Sequence, residues 1–536
     1  MLSKETIAKT DIVIVGAGFA GLYMTKRLVD DGFSVDTIEA GHDIGGTWYW
    51  NRYPGARCDI ESVEYSYQFS DAVQQEWQWS ERYASQAEIL NYINFVADKF
   101  SLRKFVRLGI RVESATFNQK DSSWFVGLST GESIICQYFI LAVGNLSKPF
   151  IPEVEGRSKY SGVTLHTARW PKSGIDFADK RVGVIGTGSS GVQCIPVIAE
   201  KARRLTVFQR TPTFTVPAGN KPIDPVWLEK FKLGYGEFRE RNKEMLGGFS
   251  ASYPPNEQSA LAISEKERLS VYEKRWNEIG GLLFMQSFSD LLLDEAANHT
   301  AAEFIRNKIK QVVSNDEISS LLSPEGPVGC KRLCVDTNYY ATYNKSNVSL
   351  VDVSGHHSIK MDEDGIIYGS SYYPLDLVVF ATGFDAITGS ILSINIIGED
   401  GITLKKKWEN GPLSFLGACT ADFPNMFSIC GPGNPSVLSN MVSTIEHHVD
   451  WIADCLKYAK SSGYRMIQAT RTAETEWMAE ADKRVRDTLF YNCNSWYLGA
   501  NIPSKPRKFI PYLGFSDYLA RCNDISSRGY PGLLFE

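Results

Sequence analysis

No run of this chain approaches the roughly 18 apolar residues that would cross a bilayer. The most apolar early stretch, Ile12 to Met24, is broken by Gly16, Gly18 and Gly21 and followed by Lys26 and Arg27. A basic excess is missing too: 56 Lys and Arg against 62 Asp and Glu leave a net charge of −6, which argues against a nucleic-acid partner. Histidine is scarce, at 7 scattered residues, and the 10 cysteines form neither Cys-x-x-Cys nor Cys-x4-Cys. A zinc ribbon, any other metal centre and a paired redox dithiol are therefore not expected. So few cysteines in so long a chain read as free thiols in a reducing compartment, Cys330 and Cys334 included. The opening residues MLSKETIAKTD hold no apolar h-region, and the closing GLLFE is no retention or peroxisomal address. The expectation is a soluble cytoplasmic protein with no membrane partner and no inferable protein partner.

What is present is a globular composition, 43% hydrophobic and 12% aromatic, in a chain long enough for several domains. The run Ile12-Val13-Ile14-Val15 suits a buried parallel strand. It leads into Gly16-Ala17-Gly18-Phe19-Ala20-Gly21, a helix-like stretch from Leu22 to Val29, and a second strand from Ser34 that ends in Glu39. Strand, glycine turn, helix, strand and acid within one short unit is the pattern of a dinucleotide site. Gly16 permits the tight turn, Gly18 lets backbone approach a pyrophosphate, and Gly21 lets helix and strand pack closely. Glu39 can accept hydrogen bonds from a ribose diol. Standing first in the chain and ending in an acid, this unit is assigned to FAD.

The unit recurs. Arg181 to Ile185 is a strand, Gly186-Thr187-Gly188-Ser189-Ser190-Gly191 the turn, Val192 to Ala199 a helix, and Leu205 to Phe208 the next strand. Here the acid is replaced by Gln209-Arg210-Thr211. A guanidinium binds the ribose 2′-phosphate that a carboxylate would repel, so this site reads as NADPH; a surface arginine that merely follows a strand is the other reading. Strand-like runs at Tyr138–Val143 and Leu375–Phe380 return the chain to each sheet. Residues 222–328 turn charged and helix-rich. The fold class is α/β, with two Rossmann-like domains. FAD takes 1–148 and 385–536, NADP takes 149–221 and 329–384, and 222–328 is a helical insertion in the NADP domain.

Two long motifs narrow the chemistry. Tyr160 to Pro171, YSGVTLHTARWP, lies between the two glycine turns, and Gly45 to Asp59 reads GGTWYWNRYPGARCD. The first resembles the Baeyer–Villiger monooxygenase fingerprint, with Tyr160 in place of the more usual Phe; the second matches that family's Gly-Gly-x-Trp…Tyr-Pro-Gly-x3-Asp segment. KRLCVDTNYY (331–340), FATGFDA (380–386), GPGNPSVLSNM (431–441) and SWYLGANIPSKPR (495–507) are similar to further family landmarks.

The resemblance implies a single-chain enzyme with non-covalent FAD. Such an enzyme uses NADPH and O2 to convert small-molecule ketones to esters or lactones through a C4a-peroxyflavin. It implies Arg332 as the active-site cation that keeps the peroxide anionic, and Asp59 as its orienting carboxylate. FAD contacts are implied for Phe19, Thr47, Trp48, Trp50, Asp59, Tyr65, Val112 and Met441 beside the first glycine turn and Glu39. NADP contacts are implied for Arg210, Thr211, Lys331, Arg332 and Trp496 beside the second turn. Ser436, Val437 and Leu438 are implied in the ketone pocket. His166 is open between general acid/base and a structural tie in the linker. N- or S-hydroxylation and a non-oxygenating reductase are the alternative activities.

Overall fold

The computed structural model describes residues 7–491 and 493–536. In the strand Ile7–Val15, Ile12 and Ile14 enter the apolar cluster on one face while Val13 and Val15 enter that on the other. A strand covered on both faces needs apolar residues at successive positions, hence the unbroken run. Val35–Glu39 and Ser133–Leu141 pair with it in parallel on either side. Beyond Ser133–Leu141 the sheet turns antiparallel through Ser123–Leu128 and Val112–Asn118. Residues from far along the chain complete it: Asn395–Ile397 pairs with Val112–Asn118, and Met426–Ser428 with Ser133–Leu141. The helix Met441–Ser462 is capped at its start by the Asn440 side chain and stops at Gly463, whose φ is 78°. It packs on the helix Phe19–Asp30, where Tyr23 donates to Asp450 at 2.7 Å.

The second sheet has five parallel strands in the order Val348–Asp352, Arg204–Gln209, Arg181–Ile185, Leu377–Phe380, Val163–His166. Between Arg204–Gln209 and Val348–Asp352 the chain makes the helices Pro225–Lys232, Tyr235–Glu244, Glu265–Lys274, Glu295–Val312 and Asp316–Leu322. Ser264 and Glu267 form a reciprocal capping box at the third of these. Two adjacent segments connect the sheets. Residues 145–150 leave the first, 383–387 return to it, and they are bonded by Phe150 N–H to Gly383 O and Asp385 N–H to Lys148 O, both 2.9 Å.

The cysteines depart from the sequence expectation. Cys330 and Cys493 form a disulfide across 163 residues of chain, whereas Cys334 and seven others are buried free thiols. Spacing along the chain could not show the pair, because only the docking of the segment after Thr488 brings Cys493 to Cys330. Among the described residues no helix is long and apolar enough to cross a membrane.

Candidate active site

Both glycine turns are built alike. Gly16 and Gly186 have φ of 104° and 107°, and a Cβ on either would come to 2.6 Å from the carbonyl oxygen of Ala142 or Ala381. Gly21 and Gly191 lie so close to the carbonyls of Gly16 and Gly186 that any side chain would overlap them. Phe19–Asp30 and Ser189–Ala199 both start without a side-chain cap. Their free first-turn amides suit a pyrophosphate, and a Cβ on Gly188 would meet nothing within 4 Å. The Glu39 carboxylate accepts from Ala17 N–H at 2.7 Å and Gly41 N–H at 2.6 Å, which fixes it at the strand end. Val112 is buried in the same apolar cluster as Val15 and Ile38. These features fit FAD at the first turn and NADP at the second.

The segment after the first turn forms the junction of the two units. Trp48 Nε1 donates to Tyr65 at 3.3 Å, and Phe19 meets the same Tyr65 ring edge-on at 5.6 Å between centroids. Thr47 is exposed beside them. Farther on, Tyr53 donates to Gln193 Oε1 at 2.7 Å and Gln193 Nε2 donates to Arg57 O at 3.1 Å. Gly55, at φ 83°, lies against the backbone of Gln193 too closely for any side chain. The Tyr-Pro-Gly segment thus docks the first unit on the glycine-turn helix of the second, a role for Gln193 that the sequence did not suggest.

Asp59, at the end of that segment, meets Arg332 across the junction. Arg332 Nε and Nη2 donate to the two carboxylate oxygens at 2.6 and 2.8 Å, and Nη1 donates to Val437 O at 2.6 Å. The side chains of the pair are only 22% and 23% exposed. Burial opposes the guanidinium charge, but the Asp59 carboxylate outweighs it and holds the Arg332 pKa above its ordinary value. Arg332 therefore stays charged at any working pH. The planar fork of arginine is what allows a two-pronged bond and a third contact together. Val437 belongs to the short turn Ser436–Leu438, where Ser436 has a φ of 48° and accepts a hydrogen bond from Asn145. Met441 follows at the start of its helix, and Trp496, Leu438 and Leu146 pack against the same buried cluster.

Arg210, Thr211, Lys331 and Arg332 line one cavity of about 420 Å³ at the edge of the second sheet. Burial and the nearby Arg210 charge both lower the Lys331 pKa, so two cations face the same space. A phosphate dianion placed between them would relieve their repulsion.

His166 sits on the doubled connection. Its Nδ1 accepts from Ala168 N–H at 3.0 Å, and Nε2 lies 3.3 Å from Phe150 O, at the end of one connecting segment, and 3.4 Å from Thr382 Oγ1, just before the other. Burial pushes its pKa down to about 4, so the ring is neutral with its proton on Nε2. This geometry supports the structural reading over acid/base work. Trp50 lies under the Arg169 guanidinium at 4.3 Å, joining the two long motifs face to face.

Residues 13–243 match the pyridine nucleotide-disulphide oxidoreductase family. Over 530 residues the chain is 38% identical to phenazine N-monooxygenase PhzNO1 of Lysobacter antibioticus, with 98% of this chain and 96% of that one covered. It is 37% identical to a Baeyer–Villiger monooxygenase of Pseudooceanicola batsensis, with 99% and 97% covered. A solved structure of oxidized steroid monooxygenase bound to NADP superposes with a TM-score of 0.94 at 45% identity, covering 98% of this chain and 99% of that chain.

Proposed function

This chain belongs to the Baeyer–Villiger monooxygenase family of FAD- and NADPH-dependent flavoproteins, and we propose that Arg332, held by Asp59, is the cation with which it oxidises ketones to esters or lactones. The observation that carries this reading is the three-pronged hold on Arg332. Its charge is fixed by Asp59 on one side and by the Val437 carbonyl of the ketone-pocket turn on the other.

Bound FAD, reduced by NADPH, supplies the activated oxygen. The protein's part is to hold a positive charge where negative charge develops on the attacking oxygen and then on the ketone oxygen. A preorganised charge of this kind is worth on the order of 10²–10³ in rate. Trp48, Tyr65 and Phe19 would form an aromatic wall for the flavin, and Ser436, Val437 and Leu438 would shape the ketone pocket. Residues 1–148 with 385–536 would form the FAD unit, and 149–221 with 329–384 the NADP unit carrying the insertion 222–328. The paired connections 145–150 and 383–387 support that division. The cytoplasm, where NADPH is replenished, is the proposed compartment.

The test is NADPH consumption with and without linear, cyclic and aryl ketones, with mass spectrometry for products that gain one oxygen. Ketone-stimulated turnover with ester formed supports the reading. Turnover stimulated only by nitrogen heteroaromatics, with N-oxide formed, would replace it by the activity named for the phenazine N-monooxygenase. Heat-denatured protein should release free flavin.

The cations of the 420 Å³ cavity set the coenzyme preference. Each charge-assisted hydrogen bond is worth roughly 1.5–3 kcal/mol, so Arg210→Ala should raise KM for NADPH by about tenfold or more and leave KM for NADH nearly unchanged. Equal losses with both coenzymes would remove Arg210 from the phosphate site. Lys331 adds a pH signature. With its pKa lowered by burial and by Arg210, it sheds its proton below the ordinary lysine range. Only the protonated form attracts a phosphate, so KM for NADPH should climb with rising pH on the alkaline side while KM for NADH stays flat.

A further inference from the structure

The loop that delivers Arg332 has little to hold it. On one side Val328 is fixed by Asn298, whose amide donates to Val328 O at 2.9 Å and accepts from Val328 N–H at 2.9 Å. On the other, the strand Cys334–Asp336 pairs with Thr215–Pro217. Between these anchors, among the described residues, the backbones of Lys331 to Leu333 make no backbone–backbone hydrogen bond. The span is therefore positioned by side chains: Leu333 is buried in the core of the second unit, and two others reach toward the junction. One is Arg332 itself. The other is Cys330, bonded to Cys493 in the segment just before Trp496 and Tyr497.

That segment reaches the same site. Cys493, Tyr497 and Val437 are buried in one apolar cluster, with Cys330, Leu438 and Trp496 packed against it. The rings of Trp496 and Tyr497 are 4.3 Å apart. Burial pushes the Tyr497 phenol up to about 12 while the Arg332 charge pulls it down, so the phenol and the guanidinium share one environment. The bridge thus joins the cation loop to the aromatic segment at the ketone pocket.

Resting on the role proposed for Arg332, we infer that the Cys330–Cys493 disulfide is a positioning element of this enzyme: it holds Lys331 and Arg332 in register with Trp496 and Tyr497, and its opening uncouples NADPH oxidation from ester formation. Reaction rates depend steeply on such register, since a displacement of about 1 Å can cost on the order of 10². The bridge is also accessible from one side. Cys330 is partly exposed and lines the cavity that Arg210 and Lys331 share, whereas Cys493 is buried. A small thiol can reach Cys330 through that cavity, and bound NADP+ would cover the route. In a reducing compartment such a bond opens and closes with the thiol poise, which makes coupling responsive to it.

The chemistry balances with a dithiol. A dithiothreitol thiolate attacks Cys330 Sγ and forms a mixed disulfide, and Cys493 leaves as the thiolate. The second dithiothreitol thiol then displaces Cys330 and closes the oxidised ring, so two electrons and two protons pass to the protein. Oxidised glutathione reverses the change through the corresponding mixed disulfide.

The experiment uses the FAD-loaded full chain. Denatured and thiol-titrated, the air-oxidised protein should show 8 thiols and the dithiothreitol-treated protein 10. Saturating NADP+ should slow the reduction by about tenfold, since the route to Cys330 passes the coenzyme site. With flavin retained, the reduced protein should form several-fold less ester per NADPH and release hydrogen peroxide to match, while anaerobic flavin reduction at saturating NADPH is unchanged. Oxidised glutathione should restore the coupling. Cys493→Ser should behave as the reduced protein and ignore dithiothreitol; if it fails to fold, the reversible change in the unmodified chain decides alone. Ten thiols in the air-oxidised protein, or equal coupling in the two redox states, would overturn the inference. Ester formation by Arg332→Ala would instead remove the role of Arg332, leaving the thiol count and the NADP+ protection as they are.

Discussion

Arg332→Ala should lose ester formation by about 10²–10³ while the flavin is still measurably bleached anaerobically by NADPH. The asymmetry follows from where Arg332 is held. Its three hydrogen bonds fix a charge between Asp59 and the turn Ser436–Leu438, whereas hydride transfer depends on placing nicotinamide against flavin. In air the variant should consume NADPH and release hydrogen peroxide in place of ester. Arg332→Lys should recover little, because an ammonium cannot bond both carboxylate oxygens and the Val437 carbonyl as a planar fork does. Asp59→Ala should cost less than Arg332→Ala, since the Val437 carbonyl still holds the guanidinium. Stopped-flow absorbance under argon, followed by product detection in air, separates the two half-reactions. Near-normal ester yield from Arg332→Ala would make the residue a coenzyme-site charge only.

Gly188 and Gly191 should respond in opposite ways to the same added methyl. At Gly191 it would overlap the Gly186 carbonyl, which the turn fixes in place. Overpacking of this kind costs roughly 1–3 kcal/mol, so Gly191→Ala should lower the thermal unfolding midpoint with or without coenzyme. At Gly188 the backbone is extended, with φ −77° and ψ −172°, and the methyl would meet no atom within 4 Å beyond its own chain neighbours. Gly188→Ala should therefore unfold as the parent does. It should nevertheless raise KM for NADPH by about tenfold or more, because the methyl stands where a phosphate would approach the amides, each such bond being worth roughly 1.5–3 kcal/mol. A matching loss of stability in both variants would mean that Gly188 serves packing and not the coenzyme.

The features legible in the sequence are those that local backbone chemistry dictates. Gly16 and Gly186 need positive φ, Gly21 and Gly191 admit no side chain, and Glu39 and Arg210 stand at the ends of equivalent strands. The helix-rich character of residues 222–328 is legible from composition, though not the bounds of the helices within it. What stayed hidden depends on contacts between distant residues. Arg332 and Asp59 are 273 residues apart and were paired only through the family resemblance. Gln193 looked like any polar residue on a helix, and Asn145 like a loop residue after a strand. The antiparallel part of the first sheet has no such signature, because Val112–Asn118 has one face exposed and lacks the dense apolar run of the parallel strands. The Cys330–Cys493 pair was hidden for the same reason: nothing local to either cysteine announces its partner.

The Val437 carbonyl has a bearing on how this protein could be re-engineered. The turn that would discriminate among ketones is tied by its main chain to the guanidinium. Side-chain replacements at Val437 and Leu438 can alter the shape offered to a substrate and leave that carbonyl in place. Insertions, deletions or proline within Ser436–Leu438 would turn the carbonyl and release Arg332 with it. Variation in substrate range should therefore accumulate as point substitutions here, with loop length held constant, and libraries built on loop grafting at this turn should return mostly uncoupled enzymes.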